Sequence, residues 1–326
     1  MGASWLIGAL EALESETGWS AADADVIVGT SAGSVIGTLA ASGIPPAYMA
    51  AYASGDSLEG LEAPEGMELD EGDLADREAG ASYRLQLALP PIGPGSWRMA
   101  LSTLRNPLRH APSTIVAGWL PRGVMSTESI SSIVDRHVSD DWPDHPNLWI
   151  TACDYVTGKR VVFGREGSPE ARARDAVAAS CAIPAFYHPV RIGKRRYVDG
   201  GICSVSNADL LCDKELDTVI VLNPMSCSAP TAGGRLGRAM RGAASRRLGH
   251  EVRKLREHGT EVLVLQPSAE DVAVMGTNLM ARGRRAEVTE RAQVSVAREL
   301  RSKRGQLPKL PRPQRRKTAA PARKAA

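Results

Sequence analysis

The sequence predicts an α/β protein, with a mainly parallel sheet covered by helices on both faces. Three observations carry that expectation. Short runs of β-branched and apolar residues alternate with longer helical patterns along the chain. Several of the runs are apolar throughout, as strands buried on both faces are. The first of them, Val26-Ile27-Val28, passes through Gly29-Thr30-Ser31-Ala32-Gly33 straight into a helical pattern.

The elements follow in order. Ser4 to Glu16 places Leu6, Ala9, Leu10 and Leu13 at helical spacing. A strand is expected over 24–28, then a helix from Ala32 to near Gly43, and Pro45-Pro46 opens another short helix. Residues 56–78 hold ten acids and one arginine, the composition of a solvated, mobile segment. Residues 89–123 mix Pro and Gly with Leu, Ile, Met, Trp and basic residues. That mix fits a flap near a site, a surface touching lipid headgroups, or a plain covering layer of short helices. Thr127–His137 reads as helix, and Leu148–Cys153 and Arg160–Phe163 as strands joined by a turn at Thr157-Gly158. A helix is expected over Pro169–Ser180, a strand over Arg195–Val198, and a buried strand over Asp217–Asn223. A basic helix over Arg235–His258, a strand over Val262–Gln266 and helix over most of Ala269–Leu300 complete the body.

Composition bounds the class. Of 326 residues 43% are hydrophobic but only 4% aromatic, so the core must be built from Ala, Val, Leu and Ile. No apolar run is long enough for a membrane span, and no basic-then-apolar leader opens the chain. Cys153, Cys181, Cys203, Cys212 and Cys227 are few and odd in number, which favours reduced thiols and a cytoplasmic protein. No C-x-x-C or H-E-x-x-H occurs, so neither a metal nor a cofactor is expected, and the P-loop pattern is also absent. The net charge of +3 conceals a split. Residues 301–326 carry ten Lys/Arg and no acid, leaving 30 of the 40 basic residues against all 37 acids in the body, a net of −7.

Ser31 is the candidate nucleophile. A serine between strand and helix sits on a strained turn that lifts its hydroxyl above the sheet. Gly29 and Gly33 remove side chains where strand and helix approach. The new helix points free N–H groups at the same place, Ala32 N–H first. Short G-x-S-x-G matches also arise by chance, and the flanking strand and helix supply the context this chemistry requires.

A serine hydroxyl needs a base. His250 and His258 lie on a helix crowded with Arg and Lys, which reads as a solvated face, and His188 precedes a proline in a loop. Asp199 is the stronger candidate: it ends a strand, and Gly200-Gly201 let another group approach its carboxylate. D-G-G taken alone is a common turn. An aspartate near its ordinary pKa of about 3.9 is a weak base at neutral pH, and burial would strengthen it.

Four stretches, "GTSAGS" at 29–34, "DYVTGKRVVF" at 154–163, "AVAASCAIPAFYHPV" at 176–190 and "YVDGGICSVSNADLL" at 197–211, resemble the patatin-like phospholipases in sequence and in order. "GTNLMARGRRAEVTERA" at 276–292 resembles the late helix of the bacterial members, so the resemblance covers about residues 1–300. These are serine lipid acyl hydrolases with a Ser-Asp dyad and no histidine. The resemblance implies a three-layer α/β/α fold, a dyad of Ser31 and Asp199, ester cleavage through an acyl-enzyme, a lipid ester as substrate and no cofactor. It implies oxyanion donors from a glycine-rich loop after the first strand. Gly2 fits the last glycine of that loop, with Ala3 opening the helix. The first strand and the leading glycines are missing from the pattern, so either the natural start lies upstream or this is a truncated relative. Losing one oxyanion donor costs about 10²–10³ in rate, so weak activity or none is expected of the chain as written, and a working hydrolase of an extended version.

The expected organisation is one hydrolase domain over 1–300, with an acidic segment and flap at 56–123, and a disordered basic tail over 301–326. The tail fits peripheral contact with an anionic membrane, at about 1 kcal/mol per Lys/Arg near the surface. Nonspecific nucleic-acid contact or simple solubility would suit the same charge, and no specific nucleic-acid partner is expected. Two other functions share the pattern: a catalytically impaired lipid-binding or regulatory relative, and an acyltransferase in which an alcohol captures the acyl group.

Overall fold

The computed structural model describes residues 1–54, 94–105, 110–138, 140–227, 235–276, 283–308 and 310. The acidic segment at 56–78, the basic tail beyond 310 and residues 277–282 of the late-helix stretch lie outside the described residues. In chain order the main elements are α1 (Gly2–Thr17), β1 (Ile27–Thr30), α2 (Ala32–Ala41), α3 (Pro46–Ser54), α4 (Trp97–Arg105), α5 (Pro112–Trp119) and α6 (Glu128–His137). Then come β2 (Leu148–Asp154), β3 (Arg160–Phe163), α7 (Ala173–Ser180), β4 (Val190–Ile192), β5 (Arg195–Asp199) and β6 (Thr218–Leu222). α8 (Arg235–Glu257), β7 (Glu261–Leu265), α9 (Ala269–Met275) and α10 (Arg285–Ser302) follow. Helix ends have local causes. α1 stops where Gly18 takes φ 71° and its N–H returns to Glu14 O at 2.8 Å. α9 starts on a capping box between Ser268 and Asp271 and stops at Gly276, φ 68°, so helix is not continuous over Ala269–Leu300.

The sheet is mixed, which corrects the expectation of a mainly parallel one. β1 runs parallel to β2, and β6 parallel to β7. β3 and β5 both run antiparallel to β2, and β4 antiparallel to β5. The cause is connection length. Short turns join β2 to β3 and β4 to β5, and a tight turn can only return the chain antiparallel. β1 also starts and ends later than expected, because pairing begins where Ile27 N–H meets Asn147 O at 2.9 Å and continues to Thr30 opposite Thr151.

Alternation along the strands builds the layers. Val26, Val28, Trp149, Val162, Val219 and Val221 face one side, against Leu248, Val252 and Leu255 of α8. Ile27, Leu148 and Ile150 face the other side, with α6 and α7. Ile220, Leu222, Leu263 and Leu265 pack among α1, α2, α3 and α10. The result is a sheet between helical layers, a mixed α/β fold. No helix among the described residues is long and apolar enough to cross a membrane.

One gap interrupts the sheet. β1 and β6 are not paired with each other: the first closes a five-stranded sheet and the second a two-stranded one. A cleft of about 490 Å³ lies between them, lined by Val26, Ile27 and Val28 on one side, Val219 and Val221 on the other, and Leu6 of α1.

Candidate active site

The sheet brings two strand ends together. β1 pairs with residues 148–151 of β2 and finishes with Thr30 opposite Thr151. β5 pairs with 152–154 and finishes with Asp199 opposite Ala152. β3 occupies the other edge of β2 over 150–153. β1 and β5 therefore meet head to head along one edge of β2, and the residues that follow Thr30 and end β5 face each other.

Ser31 stands at that junction with φ 52° and ψ −125°, as the cap residue of α2. Positive φ in a non-glycine residue costs about 1–3 kcal/mol and needs surroundings that enforce it. They are present: Ser31 N–H donates to Ser180 Oγ at 2.8 Å, and Ser34 N–H and Oγ–H both donate to Ser31 O, at 2.8 and 2.7 Å. Gly29 is needed for the close approach, since a Cβ there would lie 2.6 Å from Ser34 Cα. Gly33 is not: the nearest atom to a Cβ would be Leu6 Cδ1 at 4.0 Å, so the expected close approach belongs to Gly29 alone.

Asp199 is buried at the end of β5. Its backbone N–H donates to Ala182 O at 3.0 Å, and its Oδ1 accepts from Gly201 N–H at 2.7 Å. Ser31 stands close enough to the same carboxylate to favour its charged form. Burial raises the Asp199 pKa from 3.8 to about 6, against the opposing pull of the Gly201 hydrogen bond and of nearby Ser31. Gly200 lies directly over β2, where a Cβ would meet Thr151 O at 2.5 Å. The two glycines thus have separate duties: Gly200 lets the turn cross β2, and Gly201 supplies the N–H.

Cys181 lies beside the Ser31 turn, with Ser34 Oγ 3.8 Å from its Sγ. Burial, with the Asp199 charge behind it, pushes the Cys181 thiol up to about 12. It stays protonated and is no rival nucleophile. The histidines stand elsewhere. His250 is exposed on α8 and His258 is exposed in the turn just after it, and His188 N–H donates to Met125 O at 2.9 Å. Ala32 is the first residue of α2, so its N–H has no carbonyl of the helix to meet. Gly2 opens α1, and a Cβ there would meet only Pro224, at 3.7 Å.

A polar network behind the pair escaped the reading of the sequence. Asn207, at φ 50°, donates from Nδ2 to Thr30 Oγ1 at 2.9 Å and to Ser204 O at 2.5 Å. Arg160 donates to Asn207 Oδ1 at 3.0 Å and grips Asp209 with two bonds, at 2.7 and 2.9 Å. Glu251, fully buried, accepts from Ser204 Oγ, Ser206 Oγ, Ala208 N and Arg247 Nε. One signal was available: Glu251 lies on the apolar stripe of α8 made by Leu248, Val252 and Leu255. An acid on such a stripe is held by something.

Comparison with known families matches residues 1–211 to the model described as patatin-like phospholipase. That span runs from α1 through the turn after Asp199 to the loop held by Glu251. On a match of this length, the chain belongs to the patatin-like phospholipase family.

Proposed function

We propose that the chain is a serine lipid acyl hydrolase of the phospholipase A, lysophospholipase or esterase type. In this reading it cleaves carboxylic esters through an acyl-enzyme on Ser31, with Asp199 as base. The observation that carries the reading is the placement of Ser31, on its strained strand-to-helix turn, beside a buried carboxylate whose pKa burial raises to about 6. Such a group is ionised at neutral pH yet is a far better base than a surface aspartate.

Ser31 Oγ attacks the ester carbonyl carbon while Asp199 takes the hydroxyl proton. The C=O electron pair moves onto oxygen, and the N–H of Ala32 at the start of α2 is the nearest candidate donor to it, with Gly2 the second. Collapse restores the carbonyl and expels the alcohol, which receives its proton from Asp199. Water then attacks the acyl carbon while Asp199 takes its proton, the Ser31 Oγ–acyl bond breaks, Asp199 returns the proton to Ser31 Oγ, and the fatty acid leaves.

The test is hydrolysis of a short chromogenic acyl ester and of phospholipid vesicles by the chain, by Ser31→Ala and by Asp199→Asn. Turnover by the parent that both substitutions abolish supports the dyad. Turnover that survives either substitution overturns it. A second reading, a catalytically impaired lipid-binding or regulatory relative, is favoured by the cleft beside β1. Folded protein without turnover in any version supports that reading.

A further inference from the structure

Five of the nine exposed large apolar side chains among the described residues lie on two neighbouring helices. α4 carries Trp97, Leu101 and Leu104 at 58, 52 and 50% exposure, and α5 carries Val116 and Trp119 at 58 and 44%. Trp97, Leu101 and Leu104 fall at i, i+4 and i+7, so they share one face of α4, while Met99, Ala100 and Thr103 bury the other. Val116 and Trp119 share a face of α5. The Trp97 and Trp119 rings meet edge to face at 5.8 Å, which joins the two faces into one patch. Soluble proteins seldom leave such a patch without a use.

Charge identifies the occupant. The described residues 94–105 and 110–127 contain three arginines, Arg98, Arg105 and Arg122, and no Asp or Glu, in a body that is otherwise acidic. Arg98 and Arg105 are exposed on α4 itself. A second copy docking through the same patch would set these arginines against their own equivalents. An anionic phospholipid surface accepts both components: tryptophan settles at headgroup depth and arginine at the phosphates. Position agrees. Ser113 Oγ and Thr114 Oγ1, on α5, donate to Ile202 O at 2.6 and 2.8 Å. That carbonyl belongs to the 3₁₀ turn Gly200–Ile202 directly after Asp199, so the patch borders the candidate site.

We propose that α4 and α5 form a docking surface for an anionic phospholipid bilayer, with Trp97 and Trp119 entering the interface. The proposal deepens the lipid-hydrolase reading and rests on it for its meaning, but vesicle binding requires no turnover, so the two fail separately.

The test uses the full chain carrying Ser31→Ala, so that vesicles stay intact. It is mixed with vesicles of phosphatidylglycerol or of phosphatidylcholine, each made with and without brominated acyl chains. Co-sedimentation and quenching of tryptophan fluorescence are read. The expected result is binding to phosphatidylglycerol vesicles with quenching by the brominated chains. Trp97→Ser with Trp119→Ser lowers the affinity by about tenfold or more, because two large apolar anchors leave the interface. Arg98→Glu with Arg105→Glu removes the preference for phosphatidylglycerol. With Ser31 restored, both pairs leave hydrolysis of a soluble short ester unchanged. No vesicle binding by the parent overturns the proposal. So does unchanged affinity in the tryptophan pair, binding lost only when residues 311–326 are deleted, or a dimer that the tryptophan substitutions disperse. Absence of soluble-ester hydrolysis alongside normal vesicle binding would reject the hydrolase and leave the docking surface standing.

Discussion

Asn207 Nδ2 donates to Thr30 Oγ1 across 2.9 Å, so one side-chain amide ties the residue before Ser31 to the loop that follows Asp199. These positions are 177 residues apart in the chain. Asn207→Ala removes the amide from buried partners and leaves alanine at φ 50°, at a combined cost of about 2–4 kcal/mol. Asn207→Gly removes the amide but tolerates the backbone, so it should be less destabilising than the alanine variant by about 1 kcal/mol. Urea denaturation of the two variants checks both magnitudes and their order.

Asp199 sets two pH dependences with different signs. Turnover requires the ionised carboxylate, so kcat/KM for a soluble ester should fall about tenfold per unit as pH drops below the Asp199 pKa of about 6. Stability runs the other way. The folded carboxyl holds its proton up to about 6, whereas the unfolded one releases it near 3.8, so between these values the native state binds more protons. The group's contribution is fully present below 3.8 and is lost as pH rises through about 6, a change of about 3 kcal/mol. Asp199→Asn should flatten that part of the stability profile and unfold at higher denaturant than the parent at pH 8. Thermal or urea unfolding of the pair from pH 4 to pH 8 is the measurement.

Gly29 and Gly33 differ although the motif pairs them. Gly29→Ala drives a Cβ to 2.7 Å from Gly33 O as well as onto Ser34 Cα, and should cost about 3 kcal/mol or prevent folding. Gly33→Ala meets nothing nearer than Leu6 Cδ1 at 4.0 Å and lies inside α2, so it should be neutral or stabilising by up to about 1 kcal/mol. Soluble yield and melting temperature separate the two.

Glu251 accepts four hydrogen bonds with no solvent exposure. Glu251→Ala strands two hydroxyls and a backbone N–H of the Ser204–Ala208 loop, and should cost about 3–5 kcal/mol. Its effect on ester turnover should exceed that of Arg247→Ala, which removes an exposed partner and leaves the loop contacts intact. Parallel melting and rate measurements on the two variants test this.

The readable parts of this fold were the local ones. Ser31 was marked by a strand, two glycines and a helix within thirteen residues, and Asp199 by a strand end and two glycines. Helix and strand order followed from periodicity. The direction of β5 was not readable, because it depends on the two-residue turn at Gly193-Lys194 and a three-residue strand, β4, too short to carry a pattern. That reversal is what turns Asp199 toward Ser31. Asn207, Ser180 and Thr151 were equally hidden. Each is an ordinary polar residue whose partner lies far away in sequence, and register between distant strands leaves no local trace. Glu251 was visible as an acid on an apolar stripe, but not the loop it holds.

The most direct test of the central claim is to trap the acyl-enzyme. The chain is mixed with a short activated acyl ester, quenched in acid within the first turnover, digested and analysed by mass spectrometry. The account predicts one acyl group on the peptide bearing Ser31. It should be absent in Ser31→Ala and form at least about 10³-fold more slowly in Asp199→Asn. An acyl group on any other residue, or equal acylation in the Asp199→Asn protein, would contradict it.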